Sequence, residues 1–211
     1  MPKMTRSADE VGAVRDQILE MAFKIIKKSG YEGLKMGRIA SKVRMTAPNL
    51  YNYFSSKDEL LIAIHKKAYI MLHDKLRHAV IAADTPQEKF KNMIYAFVEF
   101  GTQNSNLYDI MFNRPVKQHR DYIGTPLEAL SNDEFRNSQR VLSFAFKTMQ
   151  DYWKTKQNAQ SVDLRRMGNH TIITLHGIIS LYNSRDLFYI VNESEMSMNE
   201  LIDDAMSPII K

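Results

Sequence analysis

The chain has 211 residues, is 44% hydrophobic and 25% charged, and contains no cysteine. The length suits one large domain or a small head on a larger body, the balance reads as soluble and globular, and the lack of thiols excludes disulfide frameworks, thiolate zinc sites and cysteine nucleophiles. Lys and Arg total 29 against 24 Asp and Glu, a net charge of +5 that permits a polyanionic partner without requiring one.

The charge is unevenly placed. Basic residues predominate from Met1 to Arg44, and Glu193 to Lys211 is acidic, which fits one DNA-facing end and one distal end. No stretch reaches the roughly 18 uninterrupted apolar residues of a membrane span. The longest candidate, Ile172 to Tyr182, is broken by Thr174, His176 and Ser180. No secretory h-region stands at the N-terminus, so the expected setting is cytoplasmic, with no membrane partner.

Val14, Ile18, Met21, Ala22, Ile25 and Ile26 recur at helical spacing, with Lys24, Lys27 and Lys28 opposite, which predicts an amphipathic first helix. Ser29-Gly30 ends it, since glycine adopts the left-handed conformation that closes helices. Short helices are expected over 37–43 and 47–53, the second capped by Thr46 and tolerant of Pro48 in its first turn. A long helix over 57–82 opens at Ser55-Ser56, where Ser56 and Glu59 have capping-box spacing. Thr85-Pro86-Gln87-Glu88 repeats the signature before a helix over 86–102. A short helix over 105–112 precedes an irregular stretch, 113–126, that holds Pro115, Gly124 and Pro126. Helices over 127–156, 164–184 and 197–206 complete the chain. No strand alternation or internal repeat is present. The expected fold is all-α: a three-helix head, 1–56, on a helical bundle, 57–211.

The head contains helix-turn-helix spacing. Arg38 to Val43 form the first helix of the pair, Arg44-Met45-Thr46 the turn, and Ala47 to Tyr53 the recognition helix. Ile39, Ala40, Val43, Met45 and Leu50 are spaced to make the small core that fixes the crossing angle. Ala47, Pro48, Asn49, Tyr51, Asn52 and Tyr53 remain to face a major groove.

From Arg15 to about Ile64 the sequence resembles the TetR family of bacterial regulators. The run Asn49-Leu50-Tyr51-Asn52-Tyr53-Phe54-Ser55-Ser56-Lys57-Asp58-Glu59-Leu60 is close to that family's most recognisable stretch. Gly30, Tyr31, Leu34, Ile39-Ala40 and Val43 match as well. The resemblance implies that Asn49, Tyr51, Asn52 and Tyr53 meet the duplex and that Lys57 grips phosphate at the start of the fourth helix. Asn can bond adenine with paired hydrogen bonds, and tyrosine hydroxyls can reach phosphates. Tyr53 can equally pack the head against the fourth helix. Arg38 and Lys42 would face the DNA backbone, and Thr46 would touch phosphate as well as cap. The N-terminal Lys3 and Arg6 have a minor groove within their expected reach. Two positions depart from the family pattern: Lys35 stands where Ser or Thr caps helix two, and Arg44 where the turn carries Gly or Ala. If that turn needs positive φ, Arg costs roughly 1 kcal/mol more than Gly.

The resemblance places a ligand pocket and a dimer interface in the body. Tyr108-Asp109-Ile110-Met111-Phe112 and Leu175-His176-Gly177-Ile178 resemble a C-terminal subgroup named for a Trp-His-Gly run, with Leu175 in place of the Trp. Phe97, Tyr108, Met111, Phe112, Phe144 and His176 are the expected effector-binding set, suited to a hydrophobic or aromatic small molecule. The same residues at helical spacing also read as plain core. The homodimer is expected through the last two long helices, using Ile172, Ile173, Leu175, Ile179, Leu181 and Tyr182, and a second stripe of Leu201, Ile202, Ala205 and Ile209. Such a dimer presents two recognition helices to a palindromic operator, and an effector acting through helix four releases it. An alternative is a DNA-binding protein whose body docks a protein and senses no small molecule. No enzyme is expected, nor any catalytic residue, metal or cofactor. His65, His73 and His78 share a helix but at intervals unsuited to a metal, and no phosphate loop or nucleophile elbow is present.

Overall fold

A computed structural model describes residues 7–156, 164–190 and 196–210, and among these every regular element is helical. Helix α1, Ala8–Ser29, opens on a capping box that sequence reasoning missed: the Ser7 hydroxyl accepts from the Glu10 N–H, and the Glu10 carboxylate accepts from the Ser7 N–H. It ends where expected, at Gly30 with φ 62°. A 3₁₀ turn, Tyr31–Gly33, leads to α2, Met36–Lys42, which starts at Lys35 without a side-chain cap. Thr46 caps α3, Ala47–Tyr51, by accepting from the Asn49 N–H.

Helix α4, Lys57–Ile81, is capped by Ser56, but Glu59 reaches back to the N–H and hydroxyl of Ser55 rather than to Ser56. Helix α5, Pro86–Gln103, has the full Thr85/Glu88 box. The helix expected over 105–112 is divided. Helix α6, Ser105–Tyr108, passes into a π turn, Asp109–Asn113, and a 3₁₀ turn, His119–Tyr122, follows. The remaining helices are α7, Glu128–Trp153; α8, Leu164–Ser184; α9, Leu187–Ile190; and α10, Met198–Ile210. The short α9 carries too few residues to show a period. Helix α10 runs past the expected end at Met206, because Pro208 in the last turn forfeits one backbone bond without stopping the helix.

The chain divides into two compact units. The first takes its described residues from Met1–Tyr69 and Asn106–Ser138, and so adds a middle segment to the expected head. Its core is Ile18, Ile26, Leu34, Ile39, Leu50, Phe54, Leu60, Ile64, Leu107, Tyr108 and Ile110. The middle segment is tied to the head by polar contacts: the Asn106 amide donates to the Lys27 carbonyl at 3.0 Å, Arg114 pairs with Glu32 at 3.1 Å, and Lys117 with Asp58 at 2.8 Å.

The second unit takes Ile70–Ser105 and Gln139–Lys211. Leu72, Leu76, Phe90, Ile94, Val98, Phe100, Met149, Tyr152, Ile179, Ile202 and Met206 fill it. Phe90 stacks on Tyr152 with ring centroids 5.0 Å apart. Asp203 of α10 accepts from both Lys91 and Tyr95 of α5. Gly168 lets α8 approach α7, since a Cβ there would lie 3.2 Å from the Met149 methyl.

Candidate nucleic-acid interface

The helix-turn-helix forms as its spacing dictates. Ile39 and Leu50 are fully buried and Ala40 is nearly so, which gives two short helices one shared interior. Arg44 in the turn has φ 57°, the left-handed conformation in which an L side chain costs about 1 kcal/mol. Its peptide neighbours hold that conformation in place: the Met45 N–H donates to the Ala40 carbonyl at 2.8 Å.

Arg15 of α1 fastens this pair to α4. Its guanidinium donates to the Tyr53 carbonyl, pairs with Glu59 at 2.8 Å and lies 4.2 Å over the Phe54 ring. Burial alone would raise the Glu59 pKa, but the hydrogen bonds from Arg15 and Ser55 together hold it below its ordinary value. The recognition helix is therefore carried on an interlocked joint rather than on a free loop.

Around that joint, Arg38, Lys42, Thr46, Tyr51 and Asn52 are exposed, and Asn49 and Lys57 are half-buried. Tyr51 is 47% exposed although it sits beside fully buried Leu50. Tyr53 differs from these: it is 7% exposed, and most of its surface packs within the head. The Lys57 ammonium lies 3.8 Å over the Tyr31 ring, and the Arg114 guanidinium is 5.0 Å from the same ring. The tail residues Lys3 and Arg6 fall outside the described residues.

Of the six expected effector residues, three lie in each unit. Tyr108 and Met111 are buried in the first unit, and Tyr108 meets Phe112 at 4.9 Å. In the second unit Phe97 meets His176 edge-on at 5.5 Å, and Phe144 meets His73 at 5.4 Å. Burial lowers the His176 pKa and so favours its neutral form. An open groove of about 590 Å³ in the second unit, lined by Asp74, Lys75, His78, Glu99 and Phe100 among others, includes none of the six.

Other polar groups inside the first unit had not been singled out as ligands. His65 and Ser131 are buried, and Glu134 is half-buried. The available signal was a polar stripe on α7, Ser131, Glu134 and Asn137, each three residues from the next. Among the described residues no group of three or more His, Cys, Asp or Glu could hold a metal, and no helix is long and apolar enough to cross a membrane.

Of the expected dimer residues, Ile172 and Ile173 are exposed, Leu175, Ile179 and Ile202 are buried, and Leu181, Tyr182, Leu201 and Ala205 lie between. The side chain of Ile209 lies outside the described set.

Among the described residues, a capped helix-turn-helix with an exposed recognition face stands on otherwise helical elements, the form of a DNA-binding head. Residues 18–64 match the model of the bacterial regulatory proteins of the tetR family. Two relatives come from Mycolicibacterium smegmatis. The transcriptional activator FasR is 28% identical over 112 residues, 53% of this chain and 48% of that protein. The transcriptional repressor KstR is 30% identical over 80 residues, 38% of this chain and 39% of that one. These matches span less than half the length of either relative. Among solved structures, Bacillus subtilis FadR in complex with stearoyl-CoA shares the fold with a TM-score of 0.59 and 13% identity, over 93% of this chain and 97% of that one. Residues 18–64 are thus similar to the DNA-binding head of the tetR family of bacterial regulators.

Proposed function

We propose that this chain is a cytoplasmic homodimeric repressor that a small hydrophobic or aromatic effector releases from a palindromic operator. The observation that carries the DNA half is the sorting within the helix-turn-helix. Ile39 and Leu50 are fully buried, while Lys42, Thr46, Tyr51 and Asn52 are left outside on adjoining helices. In this reading Asn49 and Asn52 meet base edges; Arg38, Lys42, Thr46, Tyr51 and Lys57 meet phosphate. Tyr53 contributes its hydroxyl edge at most, since its ring is packed away.

The head, 1–56, binds DNA, and 57–211 senses and dimerises. Helix α4 supports the coupling, because its first residues belong to the head's joint and its length runs through both units. Exposed Ile172 and Ile173 on α8 support a self-associating face. Tyr69, Tyr108, Met111 and Phe112 supply an aromatic and thioether wall for the effector. The names of FasR and KstR include both an activator and a repressor; repression is the reading adopted here because simple displacement needs no further partner.

Capture of genomic fragments by the purified chain, followed by salt titration of the best fragment, tests this. A palindromic motif bound by two copies with an affinity that falls steeply with salt is expected. Binding by one copy, or no enriched motif, refutes the reading.

A further inference from the structure

In the second unit the outer face of α7 is apolar and basic. Leu142 and Phe146 lie one turn apart and are 48% and 45% exposed. Arg140 and Lys147 lie two turns apart on the same helix; both are exposed, and neither pairs with an acid among the described residues. The one acid in this part of α7, Asp151, pairs with Lys154 at 3.5 Å. The outer face of α10 carries the opposite charge. Glu200 and Asp204 lie one turn apart and exposed, beside half-buried Leu201 and Ala205. The Glu200 carboxylate accepts from the Ser197 N–H in the helix cap, whereas Asp204 has no partner among the described residues. Its neighbour Asp203 is already engaged by Lys91 and Tyr95.

Both helices lie against α8. A Cβ at Gly168 would stand 3.8 Å from the Phe146 ring, and α10 packs on the same α8. Ile172, one turn past Gly168, and Ile173 are left exposed on α8, the latter at 69%. Large apolar side chains grouped in water favour association, and the charges beside them choose the partner. Helix α10 offers the charge that α7 lacks. Among the described residues, however, no pair within the chain joins Arg140 or Lys147 to Glu200 or Asp204. The match is left for a contact between copies.

We infer that a second copy of this chain covers this face, with α7 of each copy docked on α10 of the other and Ile172 and Ile173 of both copies between them. Arg140 and Lys147 then face the acids of the partner's α10, and under two-fold symmetry the contact occurs twice. This rests on the homodimer reading above and deepens it. Helix α8 supplies apolar contact, and α7 and α10 select the partner by charge.

The test uses the full chain and two charge-altered forms. The α7 form carries Arg140→Glu and Lys147→Glu; the α10 form carries Glu200→Gln and Asp204→Lys, with Gln still able to serve in the helix cap. Sedimentation equilibrium gives the dimer Kd of each, and native mass spectrometry of differently tagged chains gives the choice of partner. Each form alone is expected to self-associate about tenfold more weakly than wild type, since the altered contact occurs twice. Mixed, the two forms are expected to pair with each other, because every α7–α10 contact then joins opposite charges; that recovery also shows that both fold. The wild-type dimer is expected to loosen as salt rises and screens exposed pairs, a readout that needs no variant. Either form self-associating like wild type, a mixture no tighter than its components, or a wild-type dimer indifferent to salt overturns the α7–α10 pairing and leaves the homodimer reading standing. A loss confined to the α7 form gives that face another occupant and overturns the pairing as well. A wild-type chain that stays monomeric at every concentration overturns both.

Discussion

Lys57→Ala offers a quantitative test of the interface. Lys57 is the first residue of α4 and half-buried, with its ammonium held over Tyr31 at 3.8 Å rather than in an ion pair. A phosphate contact at this position neutralises one charge per head, and a two-fold dimer has two heads. Each neutralised phosphate adds about 0.9 to the slope of log affinity against log salt, so the variant should lose about 1.8 from it. Between 50 and 200 mM salt the ratio of wild-type to variant affinity then shrinks about twelvefold. Fluorescence anisotropy of a labelled operator at four salt concentrations measures this, and Lys57→Arg should restore the slope. Loss of the ring contact costs at most about 1 kcal/mol of stability, which a urea titration run in parallel separates from binding. Parallel salt lines for wild type and Lys57→Ala would refute the phosphate assignment, whatever the absolute affinities.

Tyr51→Ala, 47% exposed in the wild type, should weaken operator binding while leaving stability within about 0.5 kcal/mol. Its fully buried neighbour reverses the pattern: Leu50→Ala should cost about 3 kcal/mol in urea denaturation. Arg15→Met should destabilise by about 2 kcal/mol, near the low end for a broken buried pair because solvent reaches the guanidinium. A double cycle with Glu59→Gln should show less than additive loss. Burial depresses the His65 pKa to about 4, with the Ile110 backbone bond pulling the other way. The unfolded ring therefore takes up a proton near its ordinary 6.5 that the folded ring refuses. Stability is complete above about pH 6.5 and falls toward pH 4, by up to about 3 kcal/mol, and melts of His65→Phe should lack that loss. Glu134 acts in the opposite sense. With its pKa raised to about 7, its contribution is complete below its ordinary 4.5 and is lost as pH rises through 7, so Glu134→Gln should gain on wild type in alkaline melts.

The helical period and the caps made most elements readable. Gly30, Thr46, Ser56 and the Thr85/Glu88 pair all end or open helices where local chemistry demands. A positive φ at Arg44 entered the sequence reading only as a condition, and the turn adopts it at 57°. What escaped is what periodicity cannot carry. The π turn at Asp109–Asn113 differs from α-helix by one hydrogen-bond register, which no spacing of apolar residues marks. The exposed recognition residues were read from their alternation with Leu50, whereas Tyr53, left open in the sequence between the duplex and the fourth helix, is buried. The aromatic residues assigned to an effector are divided between the units, Phe97, Phe144 and His176 in the second and Tyr108, Met111 and Phe112 in the first. Composition alone gives no reason to prefer either. Glu134, a charged residue on a helix that is polar on most of its surface, reads as solvated until tertiary packing half covers it.

The ring of Tyr31 lies beside two cations, Lys57 at the start of α4 and Arg114 after the π turn. In the proposed complex Lys57 leaves that ring for a phosphate. In that complex the ring competes with phosphate for Lys57, and Lys57 is assigned to phosphate rather than to a base. Changing it moves the affinity for every sequence by the same factor and leaves the ranking of sequences untouched. Strength of binding and choice of site are therefore adjustable at separate residues, and a population of variants can drift in one while the other is held.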